Sequence, residues 1–230
     1  MSAELVAEGI SLVEAATADG LVLRLLGGAA IVLHAGTQPH RLLGDLDAAV
    51  PRADARRLIG TLASVGYQPE PRFNALHGDR RLIFHGPQGK LDVFVEVFEM
   101  CHRIVLGPRL PLDSPTLTVS DLLLTKLQVV ELNAKDAEDA ALLLRTHELG
   151  RGDGDHVDLD YLARLTGDDW GLWRTSTQTL EQLERLQPEV AEPARVVRSV
   201  LEEAPKTRGF RLRARVGERK RWYELPDEVG

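Results

Sequence analysis

Three carboxylates and a glycine pair are the residues of this chain whose types and order can do chemistry. Asp45 and Asp47 stand in "LLGDLDAAV" with one leucine between them. On an extended strand residues i and i+2 project from the same face, so the two carboxylates repel each other unless a cation sits between them. Hard oxygen donors of this kind suit Mg²⁺ or Mn²⁺, which take a small number of protein carboxylates and complete their shell with phosphate oxygens and water. Asp92 lies in "KLDVFVEVF", between apolar neighbours. A lone carboxylate in such a place is costly unless it is paired, hydrogen-bonded or on a metal; Glu96 shares its parity and is an alternative partner. Gly27 and Gly28 interrupt an apolar stretch between "LVLRLL" and "AAIVLHA". A turn without Cβ atoms lets backbone amides approach a phosphate, and a helix starting there adds its dipole. Each signal alone also fits a plainer account: a tight strand-to-helix turn, a solvated edge strand, and a half-exposed sheet face.

A second group follows later. Lys126 precedes "AKDAED", where Lys135, Asp136 and Asp139 fall within one helical turn and the two aspartates share a face. Acidic residues in a first turn are also favoured by the helix dipole without any ligand. Arg41, four residues before Asp45, is placed to touch a phosphate, to brace the carboxylates, or simply to face solvent. Asn74 is a candidate cleft residue, and His34 reads as a structural histidine. His85, His102, His147 and His156 show no metal-ligand spacing. Cys101 is the only cysteine, which excludes an intramolecular disulfide framework and a cysteine-rich zinc site.

The elements that would position these residues follow from periodicity. Residues 5–16 read as a helix, 21–26 as a strand, 29–35 as a helix, and "DLDAAV" enters a second strand. Residues 54–65 form an amphipathic pattern stopped by Gly66. "RFNALHG", "RRLIFHG" and "KLDVFVEVF" read as three short β-type segments. Residues 1–112 are therefore expected to form a mixed α/β unit with a sheet. From Thr118 the pattern is helical, giving a helical region over 113–205 in which Trp170 and Trp173 are core anchors. In the tail, 206–230, Phe210, Leu212, Ala214 and Val216 alternate with Arg211, Arg213 and Arg215 ahead of Gly217-Glu218, which predicts a basic β-hairpin. The expected class is α+β.

Composition narrows the partners. With 43% hydrophobic and 27% charged residues, the chain has the make-up of an ordinary globular protein. No apolar run approaches the roughly 18 residues of a membrane span, and the acidic start lacks the basic region of a signal peptide. The expected location is cytoplasmic. Net charge is −7, yet residues 206–221 hold eight Lys or Arg against Glu218 alone. Nucleic-acid binding is thus expected only locally, with Arg211, Arg213 and Arg215 on one face and Trp222 and Tyr223 for stacking. The same charge also suits a solvated edge strand.

Taken together, a glycine pair opening a helix, D-x-D on the next strand and a single Asp on a later strand resemble the nucleotidyltransferase superfamily with its polymerase-β-like fold. "GGAAIVLH", "DLD", "LDVF" and "TKLQVVELNAKDAEDAALLL" are similar to its minimal bacterial members, including abortive-infection toxin relatives, over roughly residues 21–147. The resemblance implies a mixed sheet flanked by helices and a helical region completing a cleft. It implies that Gly27 and Gly28 form a phosphate turn, that Asp45, Asp47 and Asp92 hold Mg²⁺ or Mn²⁺, and that Asp92 activates the attacking hydroxyl. Arg41, Lys126, Lys135 and Asp136 would then contact the nucleotide. The implied reaction moves a nucleoside monophosphate from an NTP to a hydroxyl of RNA, protein or a small molecule. Leu43 stands where the toxin-like pattern carries a hydroxyl residue. That departure supports an alternative, a catalytically weak nucleotide- or RNA-binding module that keeps the fold.

Overall fold

The structure is a computed structural model, and it describes residues 2–37, 42–152 and 154–225. The chain divides into two compact units, residues 1–98 with 104–118 and residues 99–103 with 119–230.

The first unit is built on a mixed five-stranded sheet. Its elements are α1 (Ser2–Ala18), β1 (Arg24–Leu26), α2 (Gly27–His34), β2 (Leu46–Val50), α3 (Arg52–Ser64), β3 (Gln68–Pro69), α4 (Pro71–His77), β4 (Arg81–Gly86) and β5 (Gly89–Val95). The short strands β6 (Val97–Glu99) and β7 (Arg103–Val105) pair separately. The main sheet runs β1-β2-β5-β4-β3. β2 and β5 are parallel, and the other pairs are antiparallel.

Register sorts the side chains into two faces. Leu25, Ala48, Val93 and Leu82 align across four strands, and Leu46, Leu91 and Phe84 align beside them. All seven are buried. Fully burying a side chain of the Leu, Val or Phe kind stabilises by about 1.5–3 kcal/mol, so this face holds the unit together. The opposite face carries Leu26, Asp47, Asp92 and Ile83 in one row and Arg24, Ala49, Phe94 and Arg81 in the next. The chemistry-bearing residues therefore share the second face. On the apolar side α1 buries Leu5, Leu12 and Val13, and α3 buries Leu58 and Leu62.

One local reading of the sequence changes here. "RFNALHG" is the helix α4, not a strand. Pro71 occupies its first turn, where a missing N–H costs nothing, and Phe73 stacks on His77 one turn later at 4.8 Å. In β5, Leu91 through Val95 are all buried, so Asp92 stands in a buried strand as its apolar neighbours suggest, and the plainer account of a half-exposed sheet face does not hold.

The second unit is mostly helical: α5 (Val119–Leu127), α6 (Ala134–Thr146), the two-residue parallel strands β8 (Leu149–Gly150) and β9 (Val157–Asp158), then α7 (Leu159–Asp168), α8 (Trp170–Leu186), α9 (Ala191–Glu203) and α10 (Arg208–Val216). Capping sets the starts. The side chains of Asn133, Asp158, Asp169 and Thr207 each accept a bond from a first-turn amide of the helix that follows. All nine residues of α5 are buried, so this helix forms the centre of its unit.

The tail is not a hairpin. α10 starts at the Thr207 cap and ends at Gly217, whose φ of +58° favours glycine. Phe210 is its buried anchor, whereas Leu212 and Val216, expected on the same apolar face as Phe210, are exposed. With Phe210, Arg213, Ala214 and Gly217 at helical spacing, the packed side follows period 3.6 and the apparent alternation is coincidental. Among the described residues no helix is long and apolar enough to cross a membrane.

Candidate active site

The first site residue is set by the turn that opens α2. Gly27 has φ +67°, a conformation that L side chains rarely adopt. A Cβ built on it would lie 2.2 Å from Asp47 Oδ2. Two independent requirements thus demand glycine here: the backbone angle and the closeness of the carboxylate. The residue before it, Leu26, provides no side-chain cap for α2. Asp47 Oδ2 lies against the first residue of this helix, where negative charge is favoured. Gly28, half-buried, is the second residue of α2.

Asp47 and Asp92 stand opposite each other on the parallel strands β2 and β5. Neighbouring strands lie about 4.8 Å apart, and residues in register point to the same face. Asp47 is half-buried and Asp92 is buried, with only 2% of its surface exposed. Asp45 immediately precedes β2 and is half-buried. Asp47 and Asp92 thus offer hard oxygen donors of the kind Mg²⁺ or Mn²⁺ takes, beside a cradle that a Cβ would fill, whereas among the described residues Asp45 does not close with them into a three-ligand group. Arg41 lies outside the described residues.

Asp92 already has partners, and both are cations. Arg81 donates from Nε to Asp92 Oδ1 at 3.0 Å, its Nη2 lies 2.8 Å from the same oxygen, and Lys90 Nζ lies 3.0 Å from Oδ2. Arg81 reaches it from β4, where it sits opposite Phe94, and its guanidinium also lies over the Phe94 ring at 5.3 Å. These two cations were not singled out in the sequence. Lys90 was legible in principle, two residues before Asp92 on the same strand face. Arg81 was not, because its placement depends on the antiparallel register of β4 and β5. Arg24, on the same face, is turned elsewhere: it donates to the carbonyls of Leu23 and Asp113. Burial lowers its pKa, against the opposing attraction of Asp113.

Asn74, the cleft candidate of the first unit, is structural, and His34 is held by a backbone carbonyl. The amide of Asn74 accepts from Ile83 N (2.8 Å) and donates to Ile83 O (3.0 Å), so the backbone of β4 consumes it. His34 Nε2 lies 2.9 Å from Leu117 O.

In the second unit, Lys126 Nζ bonds Asp136 Oδ1 at 2.8 Å and lies 3.0 Å from Asp139 Oδ2. Burial opposes its charge, but Asp139 and Asp136 outweigh that and hold its pKa above the ordinary lysine value. Asp136 also receives a bond from Asn133 Nδ2 and gives its amide to the Asn133 cap. Lys135 is exposed in the first turn of α6, apart from this triad. Arg211, Arg213 and Arg215 do not line one face. Arg211 and Arg215 are exposed, whereas Arg213 covers the Trp170 ring at 4.6 Å and donates to the carbonyls of Gly217 and Lys220 at 2.7 Å. Trp222 is packed against Trp170 and donates to Thr175 Oγ1 at 3.1 Å.

The chain is similar to solved nucleotidyltransferases. It matches an antigenic nucleotidyltransferase-like protein from Paracoccidioides brasiliensis at 14% identity and TM-score 0.48, over 89% of this chain and 94% of that one. It matches the antibiotic-resistance factor ANT(2'')-Ia in solution at 16% identity and TM-score 0.47, over 62% of this chain and 84% of that one. The same factor in complex with adenylyl-2''-tobramycin matches at 16% identity and TM-score 0.45, over 60% and 86%. No protein-family model matches the chain, and no curated protein matches it.

Proposed function

We propose that this protein is a Mg²⁺- or Mn²⁺-dependent nucleotidyltransferase that moves a nucleoside monophosphate from an NTP to an acceptor hydroxyl. The observation that carries the reading is Asp47, which lies against a glycine that must be glycine, Gly27, and faces a second carboxylate, Asp92, across parallel strands. In this reading Gly27 and Gly28 admit the phosphates to the backbone at the start of α2, and Asp45, Asp47 and Asp92 hold the divalent ion. The ion supplies charge neutralisation for an in-line displacement at the α-phosphorus. The acceptor oxygen forms the new P–O bond, the bond to pyrophosphate breaks, and the hydroxyl proton passes to Asp92. The remaining contribution of the chain is positioning.

RNA is the acceptor class best supported by the surface. Arg208, Arg211 and Arg215 are exposed at spacings of three and four residues along α10, one stripe of that helix. The only acidic residue between 206 and 221, Glu218, is bonded to Arg174. A row of exposed guanidinium groups with no carboxylate of its own segment to neutralise it is the footprint of a phosphate backbone.

One observation favours the second reading, a binding module with weak catalysis. Both oxygens of Asp92 are engaged by cations, which lowers its value as a ligand and base. Calorimetric titration of an NTP with and without Mn²⁺ separates the two. The enzyme reading expects metal-dependent binding that Asp47→Asn abolishes. Binding that ignores both the metal and the substitution would support the module.

A further inference from the structure

The partners of Asp92 do not behave like ordinary structural counter-ions. A buried carboxylate needs compensation, but one guanidinium held through two donors already supplies it. Here a second cation closes on the other oxygen, so a single carboxylate carries two positive partners. The exposure is also asymmetric. The Asp92 side chain is 2% exposed, whereas those of Arg81 and Lys90 are 25% and 32% exposed. An anion arriving from solvent therefore meets the cations before the carboxylate. Arg81 is held in place by Phe94 and, at 6.0 Å, by Phe73, and its Nη1 makes no hydrogen bond among the described residues. A planar guanidinium with an unused donor, fixed on aromatic rings, is prepared for bidentate contact with phosphate oxygens. Lys90 spends one of its three donors on Asp92.

We propose that Arg81 and Lys90 are a phosphate-binding pair, parked on Asp92 until a polyphosphate arrives and then transferred to its oxygens. The exchange releases Asp92 for a divalent ion at the moment the nucleotide brings one. Before that, the two cations compete with the metal. This rests on the nucleotidyltransferase reading of the same site and adds to it the residues that receive the polyphosphate and the order in which charges are satisfied. It also reconciles the engaged state of Asp92 with a role in the reaction.

The test uses the full chain and two probes, Mn²⁺ alone and inorganic tripolyphosphate alone, with wild type, Arg81→Gln, Lys90→Gln and Asp47→Asn. Removing one positive charge from about 5 Å of a divalent ion strengthens its binding by about tenfold, even at a water-like dielectric. Each Gln variant is therefore expected to bind Mn²⁺ about tenfold more tightly and tripolyphosphate more weakly. Mn²⁺ affinity that stays level or falls, or tripolyphosphate affinity that does not change, would overturn the proposal and leave the pair purely structural. Should Arg81→Gln fail to fold, Arg81→Lys, which keeps the charge, is expected to preserve Mn²⁺ affinity and still weaken tripolyphosphate through loss of the bidentate fork. Mn²⁺ binding that is identical in wild type and Asp47→Asn would instead contradict the metal reading itself, and the tripolyphosphate arm alone then decides this proposal.

Discussion

Gly27 and Asp47 lie so close that a methyl group on the glycine would overlap the carboxylate, 2.2 Å from Oδ2. The strand-to-helix turn and the candidate metal site are thereby one feature: the turn can close only where Asp47 leaves room, and Asp47 is held where the turn begins.

Gly27→Ala should therefore do two kinds of damage. The positive φ costs about 1–3 kcal/mol for a residue with a Cβ, and the clash displaces Asp47. Gly20, at φ +69° with nothing within 4 Å of where a Cβ would stand, isolates the first effect. Gly20→Ala should lower the melting temperature without changing Mn²⁺ affinity, whereas Gly27→Ala should lower both. Equal Mn²⁺ affinity in the two variants would contradict this account of the turn.

Much of this face was legible in the sequence, and the reasons are specific. Gly27-Gly28 marked the break between β1 and α2 because an apolar run stopped and restarted. D-x-D at the head of β2 and Asp92 within β5 were conspicuous because charge rarely enters apolar runs. Strand pairing was not legible: that Asp47 faces Asp92, and that Arg81 reaches Asp92, depends on a parallel and an antiparallel register between distant segments. The tail misled because four apolar residues at alternate positions satisfy a period of two, while Phe210, Arg213 and Ala214 satisfy the helical period equally well. Only the Thr207 cap and the packing of Phe210 decide between them.

The Lys126 triad makes a stability prediction. Lys126→Met takes away the ammonium that Asp136 and Asp139 share, and breaking a buried ion pair by removing one partner costs about 3–5 kcal/mol. Denaturant unfolding should show that loss, and adding Asp136→Asn with Asp139→Asn should recover part of it. Because the folded pKa of Lys126 is raised, its contribution is complete below the ordinary lysine value of 10.5 and is lost only as pH rises through the higher folded value. Unfolding across the neutral range should leave it unchanged.

His102 has the opposite dependence. Burial lowers its pKa, with Asp169 opposing, and its Nε2 lies 2.8 Å from Thr175 Oγ1. The unfolded chain takes up a proton near the ordinary value of 6.5 while the folded chain does not, so stability falls as pH drops below it. The loss should approach about 1.4 kcal/mol per pH unit for one proton. Unfolding midpoints at about pH 7.5 and about pH 5.5 should therefore diverge in wild type more than in His102→Gln. An equal decline in both proteins would assign the effect to other groups.

The arginine stripe on α10 should show itself in salt dependence. Binding to single-stranded RNA loses about 0.7 in slope of log affinity against log salt for each phosphate contact removed. Arg208→Gln, Arg211→Gln and Arg215→Gln should each flatten the slope by that amount. Arg213→Gln should leave the slope alone and lower stability, since that side chain is committed to Trp170 and the end of α10.

The most direct measurement is transfer of label from α-phosphate-labelled NTPs to total RNA and to protein, in Mg²⁺ or Mn²⁺, by wild type and by Asp47→Asn. Labelled acceptor is expected with wild type, and a loss of about 10²–10³-fold in the variant, the usual cost of removing one preorganised electrostatic partner of a transition state. Label that appears equally with both proteins, or metal-dependent NTP binding by wild type without any transfer, would contradict the enzyme reading.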